Sequence, residues 1–250
     1  MPSAGVCTLP ANRKNRVDET CLQVLEGYQS SKSYLSEDEI PQRVGDRPDC
    51  ESCLPHAQMN QQSSDDVFKY LKERALEQMT SNDDVKIGKS TVSMPSTFPA
   101  FHLICHACND SNNSNPEVSV SSKTIPGMKM PEEACMTPGG PTCGTEFAHI
   151  HTRYYPSDSL FAKEQTSKAR RWQEWQGGGQ GSMHMCLTLK DAALVLQRGW
   201  GERHLLAGNS ESVGFNVPSG LVLIYAPRTI EESNICMKFL YASKSFAKSL

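Results

Sequence analysis

Four histidines and one short polar run carry the chemistry available to this sequence. His149 and His151 close the stretch Glu146-Phe147-Ala148-His149-Ile150-His151, His184 sits between two methionines, and His204 ends Gly199-Trp200-Gly201-Glu202-Arg203-His204. Alternate side chains of an extended chain share a face, so Phe147, His149 and His151 are expected on one side, with Glu146, Ala148 and Ile150 on the other. The same alternation puts His184, Cys186 and Thr188 opposite the apolar set Met183, Met185 and Leu187. Neutral imidazoles in such a group can bind Zn, Fe, Cu or Ni and leave a position open for substrate or oxygen. Without metal they can act as general base and electrostatic clamp, because imidazole titrates near neutral pH. Singly, each could be a hydrogen-bonded spacer on a half-exposed sheet; four together favour a site.

The polar run adds further groups. Its two glycines leave the backbone free to aim side chains at a ligand. Arg203 can hold an anionic oxygen through two parallel bonds, or simply pair with Glu202 on the surface. Trp200 reads as a packing anchor that, with Tyr225, shapes and dries a pocket, whereas Trp172 and Trp175 are candidates for a lid over an aromatic ligand. Two C-x-x-C pairs lie upstream, Cys50/Cys53 with His56 nearby and Cys105/Cys108. Together they offer zinc four thiolates, at a separation far longer than in short zinc modules. A redox role for Cys105/Cys108 lacks the strand-helix setting that activates the first thiol.

The elements that must position these groups can be read from period and caps. Residues 1–62 mix polar residues with scattered hydrophobes and are expected to be mostly irregular or disordered. From Ser64 an acidic first turn and Val67, Tyr70, Leu71 and Ala75 predict a helix to Met79. Residues 85–104 read as extended segments broken at prolines, and 105–142 and 152–181 as long insertions. Strands are expected over 144–152, 182–187 and 221–225, the last a continuous apolar run of the kind buried on both faces. Thr188 with Asp191, and Thr229 with Glu232, predict two helix starts; Gly199 stops the first helix, and Ile235, Phe239, Ala242 and Phe246 stripe the second. The order predicts an α+β domain over 63–250, a small, largely antiparallel sheet with helices on one face.

Composition excludes some partners. The chain has 250 residues, 38% of them hydrophobic, and a formal charge of −3 without a basic block, which argues against nucleic acid or an anionic membrane surface. The sequence shows no apolar run long enough to span a bilayer and no secretory signal, so a soluble, cytoplasmic protein with ten reduced cysteines is expected.

The series Gly199-Trp200-Gly201-Glu202-Arg203-His204-Leu205-Leu206-Ala207-Gly208, then Leu223-Ile224-Tyr225-Ala226-Pro227-Arg228 and Glu231-Glu232, resembles the C-terminal half of the fungal luciferase family. The His149/His151 strand and the Met183-His184-Met185 strand are similar to that family's upstream strands, and the resemblance covers about 144–245. It implies an oxygenase that adds O2 to a hydroxylated α-pyrone such as 3-hydroxyhispidin, forming a cyclic peroxide that loses CO2 and leaves an excited product. It requires no organic cofactor, and it implies catalytic roles for His149, His151, His184, His204 and Arg203. Trp200, Glu202, Tyr225 and Arg228 would contact a small aromatic or pyrone-like substrate. Fungal members begin with a membrane-anchoring helix that has no counterpart here. A non-enzymatic module using the cysteine pairs to bind zinc or a protein partner is the alternative.

Overall fold

Among the described residues each of the three α-helices starts where a hydroxyl side chain precedes an acidic first turn. In this computed structural model, which describes residues 32–52, 56–88, 90, 99–103, 145–152, 180–204, 207 and 218–249, helix α1 spans Asp65–Thr80 and Ser64 accepts from the Val67 N–H. Thr188 does the same for helix α2 (Leu189–Gln197) through Asp191 N–H, and Thr229 for helix α3 (Ile230–Lys248) through Glu232 N–H. Each such cap stabilises its helix by about 1 kcal/mol. Gly199 ends α2 with a φ of 73°, a left-handed conformation that glycine adopts without strain. On α3 the buried stripe runs through Cys236, Phe239, Leu240 and Ser243, with Ile235 and Phe246 half-buried at its margins.

Six strands form the main sheet: β3 (Val85–Gly88), β4 (Ala100–Leu103), β5 (Thr145–Ile150), β6 (Met183–Cys186), β7 (Gly201–Arg203) and β8 (Leu221–Ile224). Their order is β3-β4-β5-β6-β8-β7, and every neighbouring pair is antiparallel. This is the expected α+β arrangement. The polar run, expected as a loop, is instead the edge strand β7. Gly201 is required there, because a Cβ would collide with the Leu223 carbonyl oxygen of β8.

One face of the sheet is apolar. Phe101, Phe147, Met183, Met185, Val222 and Ile224 pack there against Leu71 and Met79 of α1, Val195 and Leu196 of α2, and Phe239 and Leu240 of α3. Burying each such side chain contributes roughly 1.5–3 kcal/mol. Trp200 belongs to this core, edge-on to Phe239 at 5.9 Å, with its indole N–H donated to the Pro41 carbonyl at 2.7 Å.

The opposite face is roofed by residues expected to be irregular. Strands β1 (Cys50–Ser52) and β2 (His56–Gln58) pair as an antiparallel hairpin. Gln58 Oε1 accepts from Ala226 N–H at 2.7 Å, and Ser63 donates to the Pro227 carbonyl at 2.6 Å. Further upstream, the buried Asp191 carboxylate accepts from Ser33 Oγ at 2.6 Å and from the Tyr34 and Leu35 N–H groups at 3.1 Å. The boundary expected at residue 62 therefore runs through bonded structure. The sequence pattern hides this for a physical reason: the described residues among 33–62 are held largely by long-range polar contacts, which leave no hydrophobic period. Among the described residues no helix is long and apolar enough to cross a membrane.

Candidate functional site

Five buried imidazoles gather between the sheet and the hairpin: His56, His149, His151, His184 and His204. The register explains how. His149 on β5 lies directly opposite His184 on β6, His184 opposite Leu223 on β8, and Leu223 opposite Glu202 on β7, so all four side chains share one face. His151 and His204 follow two positions beyond their strand neighbours on the same face, and their backbone N–H groups bond to Ser182 O and Leu221 O at 2.8 and 3.0 Å. His56 descends from the hairpin roof.

The rings touch through their nitrogens. His184 Nδ1 lies 3.1 Å from His149 Nε2, which lies 3.2 Å from His151 Nε2. The other nitrogen of His184, Nε2, is 3.2 Å from His56 Nδ1. His204 stands edge-on to His56 and His184, with ring centroids 4.7 and 5.0 Å away.

Each end of the cluster is backed by a carboxylate. Glu146 Oε1 lies 2.7 Å from His149 Nδ1 and accepts from Ser90 Oγ at 2.8 Å. Glu202 Oε1 lies 2.8 Å from His56 Nε2, and Glu202 Oε2 accepts from the Tyr225 hydroxyl at 3.1 Å. A further polar contact joins His151 Nδ1 to Ser182 Oγ at 2.9 Å.

Glu146 corrects an expectation. Strict alternation puts it opposite His149, yet its carboxylate meets that ring. The register between β4 and β5 shifts between Phe101 and His102, which pair with Ala148 and Glu146 and leave Phe147 extra. A bulge of this kind lets Phe147 and Ala148 both serve the helix side while Glu146 and His149 both face the roof. Phe147 accordingly packs in the core, 6.3 Å from Phe101, instead of sharing a face with the histidines.

Electrostatics follow from burial. Desolvation first, then the neighbouring imidazoles, holds His151 and His184 well below the ordinary histidine value and pushes His204 down to about 3. These rings are neutral at pH 7 and present lone pairs. Burial works against the Glu202 carboxylate, but hydrogen bonds from His56 and Tyr225 outweigh it and keep the carboxyl below its usual value. Burial and the adjacent Glu202 push the Tyr225 phenol up, so it remains a donor. Arg43 puts a buried cation over the Tyr225 ring, 5.4 Å from its centroid.

The structure does not bring every expected residue here. Arg203 pairs with Val222, which faces the helix-side core, and its guanidinium bonds to the Ser219 and Ala207 carbonyls at 3.3 and 2.9 Å. It ties Ala207, after β7, to Ser219, before β8, and does not face the imidazoles. Arg228 pairs with Glu232 and donates to the Val44 carbonyl, and Trp200 is in the core rather than on a ligand. Tyr225 and Glu202 do reach the cluster. Cys50 is buried beside Leu223 and Tyr225, and burial raises its thiol. Cys53, Cys105, Cys108, Trp172 and Trp175 lie outside the described residues.

Sequence reasoning missed His56 as a member, having read it only beside the Cys50/Cys53 pair. Its three-residue strand gives no periodic signal. Glu146 was visible as a neighbour of His149, but the bulge that turns it inward is not written in local residue types.

Comparison with known proteins bears out the resemblance. Residues 177–243 match the luciferase domain family. A luciferase of Neonothopanus nambi is 36% identical over 62 residues, which cover 25% of this chain and 22% of that protein. No solved structure matches the chain. The matched segment contains His184, Glu202, His204 and Tyr225, whereas His56, Glu146, His149 and His151 come from outside it.

Proposed function

We propose that this chain is a luciferase-type oxygenase that adds O2 to a small, hydroxylated, pyrone-like substrate at the histidine face of its sheet. The observation that carries the reading is the convergence of five buried imidazoles, two of them backed by carboxylates, on a strand framework that includes the luciferase-domain segment. An enol must lose its proton before its carbon becomes electron-rich enough to react with O2. One imidazole of the cluster would serve as that base, and the His56–Glu202 pair, joined to His184 through His56 Nδ1, would stabilise the positive charge taken up.

In the reaction that the resemblance implies, the deprotonated substrate gives two electrons to O2, a C–O bond forms and oxygen reaches the peroxide level. The proton taken up by the cluster returns to a peroxide or product oxygen. Ring closure of the peroxide and loss of CO2 would follow, and light emission belongs to this reading only where the product is born excited. His149, His151 and His184 supply the polar wall for substrate and peroxide oxygens. The hairpin roof and Tyr225 exclude water, which strengthens each of these interactions. Arg203 has no contact in this scheme; it holds the edge strand in place.

The test is simultaneous recording of O2 uptake and photons with a panel of hydroxypyrones that includes 3-hydroxyhispidin. Uptake that disappears in His56→Ala supports the reading. Uptake without light keeps the oxygenase and removes bioluminescence, while no uptake with any member of the panel overturns the proposal in favour of a non-enzymatic binding module.

A further inference from the structure

Three nitrogens in this cluster point at one another in a way that hydrogen bonding alone does not explain. His149 Nδ1 faces the Glu146 carboxylate at 2.7 Å, so it carries the ring's proton and leaves a lone pair on Nε2. That single lone pair meets two nitrogens, His184 Nδ1 at 3.1 Å and His151 Nε2 at 3.2 Å. One in-plane lone pair cannot accept well along both directions.

The other end imposes a matching constraint. His56 Nε2 faces the Glu202 carboxylate at 2.8 Å, which leaves a lone pair on His56 Nδ1, 3.2 Å from His184 Nε2. A neutral His184 has one N–H. Donated to His56, it leaves a lone pair on Nδ1, aimed at the lone pair of His149 Nε2. Two acceptors would then face each other in a buried place.

We infer that His149 Nε2, His151 Nε2 and His184 Nδ1 are the ligands of a divalent transition-metal ion, with an open fourth position. A cation between the three nitrogens resolves the clash of lone pairs. The spacing fits: two ligands at 2.0–2.1 Å from a tetrahedral ion lie about 3.3 Å apart, close to the 3.1 and 3.2 Å between these nitrogens. Every outward-facing nitrogen also has a holder. Glu146 takes His149 Nδ1, Ser182 Oγ meets His151 Nδ1, and the relay of His56 and Glu202 takes His184 Nε2. Metal-bound histidines characteristically have such outer partners, which fix the ring and strengthen its donation.

A rival set exists, in which His56, His184 and His204 also lie within reach of one ion. It would use the opposite nitrogen of His184 and compete for the same ring. The first set is favoured because hydrogen-bond directions leave its three lone pairs converging, with His151 Nδ1 donating to Ser182 Oγ. The assignment goes beyond the oxygenase reading and stands whatever the substrate is.

The experiment is metal stoichiometry by mass spectrometry on the full chain, purified, stripped with chelator and reloaded with Zn2+ or Co2+. One ion per chain is expected, with a tetrahedral Co2+ absorption band. His151→Ala should lose the ion, Glu146→Ala should weaken it roughly 10–100-fold, and His204→Ala should retain it. Circular dichroism identifies variants that do not fold, and if His151→Ala is one, His149→Ala takes its place. No bound ion, two ions per chain, or loss in His204→Ala with retention in His151→Ala overturns the assignment. None of these readouts uses O2 uptake, so failure here is distinct from failure of the oxygenase reading.

Discussion

The two faces of one sheet obey different physics. On the helix side, side chains of β4, β5, β6 and β8 interdigitate with three helices through dispersion and the hydrophobic effect, and no partner is unique. On the roof side the same strands carry imidazoles and carboxylates whose value depends on particular partners at 2.7–3.2 Å. The first face supplies stability that can be shared among many residues. The second spends part of that stability on a desolvated polar cluster, which is the usual condition of a site.

The sharpest way to break this comparison is to cut into each face in turn. Phe239→Ala should remove about 3–5 kcal/mol of unfolding free energy, measured by chemical denaturation, because it opens a cavity among Trp200 and its neighbours. His184→Ala should cost less stability, about 1–3 kcal/mol for the broken polar contacts, yet abolish O2 uptake. If His184→Ala destabilised more than Phe239→Ala and left uptake intact, the division of labour would be wrong.

The roof gives the next largest effect. Gln58 donates to the Asn60 and Gln61 carbonyls, both at 2.7 Å, and accepts from Ala226 N–H. Gln58→Ala should cost about 1–3 kcal/mol and raise amide exchange over residues 50–58 more than in α3. Uniform exchange across the molecule would show that the hairpin is not a separable cover.

The smallest effect sharpens the role of the surface arginine. Arg228 donates through Nε to Glu232 Oε1 and Oε2 at 3.1 and 3.2 Å, and through its backbone N–H to Oε2 at 2.7 Å, in the first turn of α3. Although burial opposes it, bonding to Arg228 keeps the Glu232 carboxyl below its ordinary value. A carboxyl with a lowered folded value contributes stability above its unfolded value and loses it as pH falls through the folded one. Arg228→Ala should therefore cost about 1 kcal/mol or less at pH 7, and the cost should shrink in acid, where Glu232 is protonated and only the bond to the Val44 carbonyl is lost. Thermal melts across pH 3 to 7 (on the order of the carboxylate range) check this, and a difference that does not change with pH would refute the pairing.

Legibility in the sequence followed the range of the interaction. Ser64, Thr188 and Thr229 announce their helices because a cap acts within three residues. The 182–187 and 221–225 strands are visible because burial imposes a pattern on consecutive residues. His149, His151 and His184 were nameable because alternation holds from Ala148 onward and through β6, and His204 because it ends the polar run. The two glycines before Arg203 gave no sign of a strand, and the edge strand places Arg203 on the face away from Glu202 and His204.

By itself the sequence determined the helices, the central strands, the α+β class and four of the five imidazoles, since propensity, capping and alternation are local. Tertiary structure alone decided that His56 joins from a distant hairpin, that a bulge turns Glu146 toward His149, and that Asp191 fastens residues 33–35. Those outcomes rest on pairings between residues far apart in the chain. No local preference encodes them, because the energy that selects each one exists only once both partners are in place.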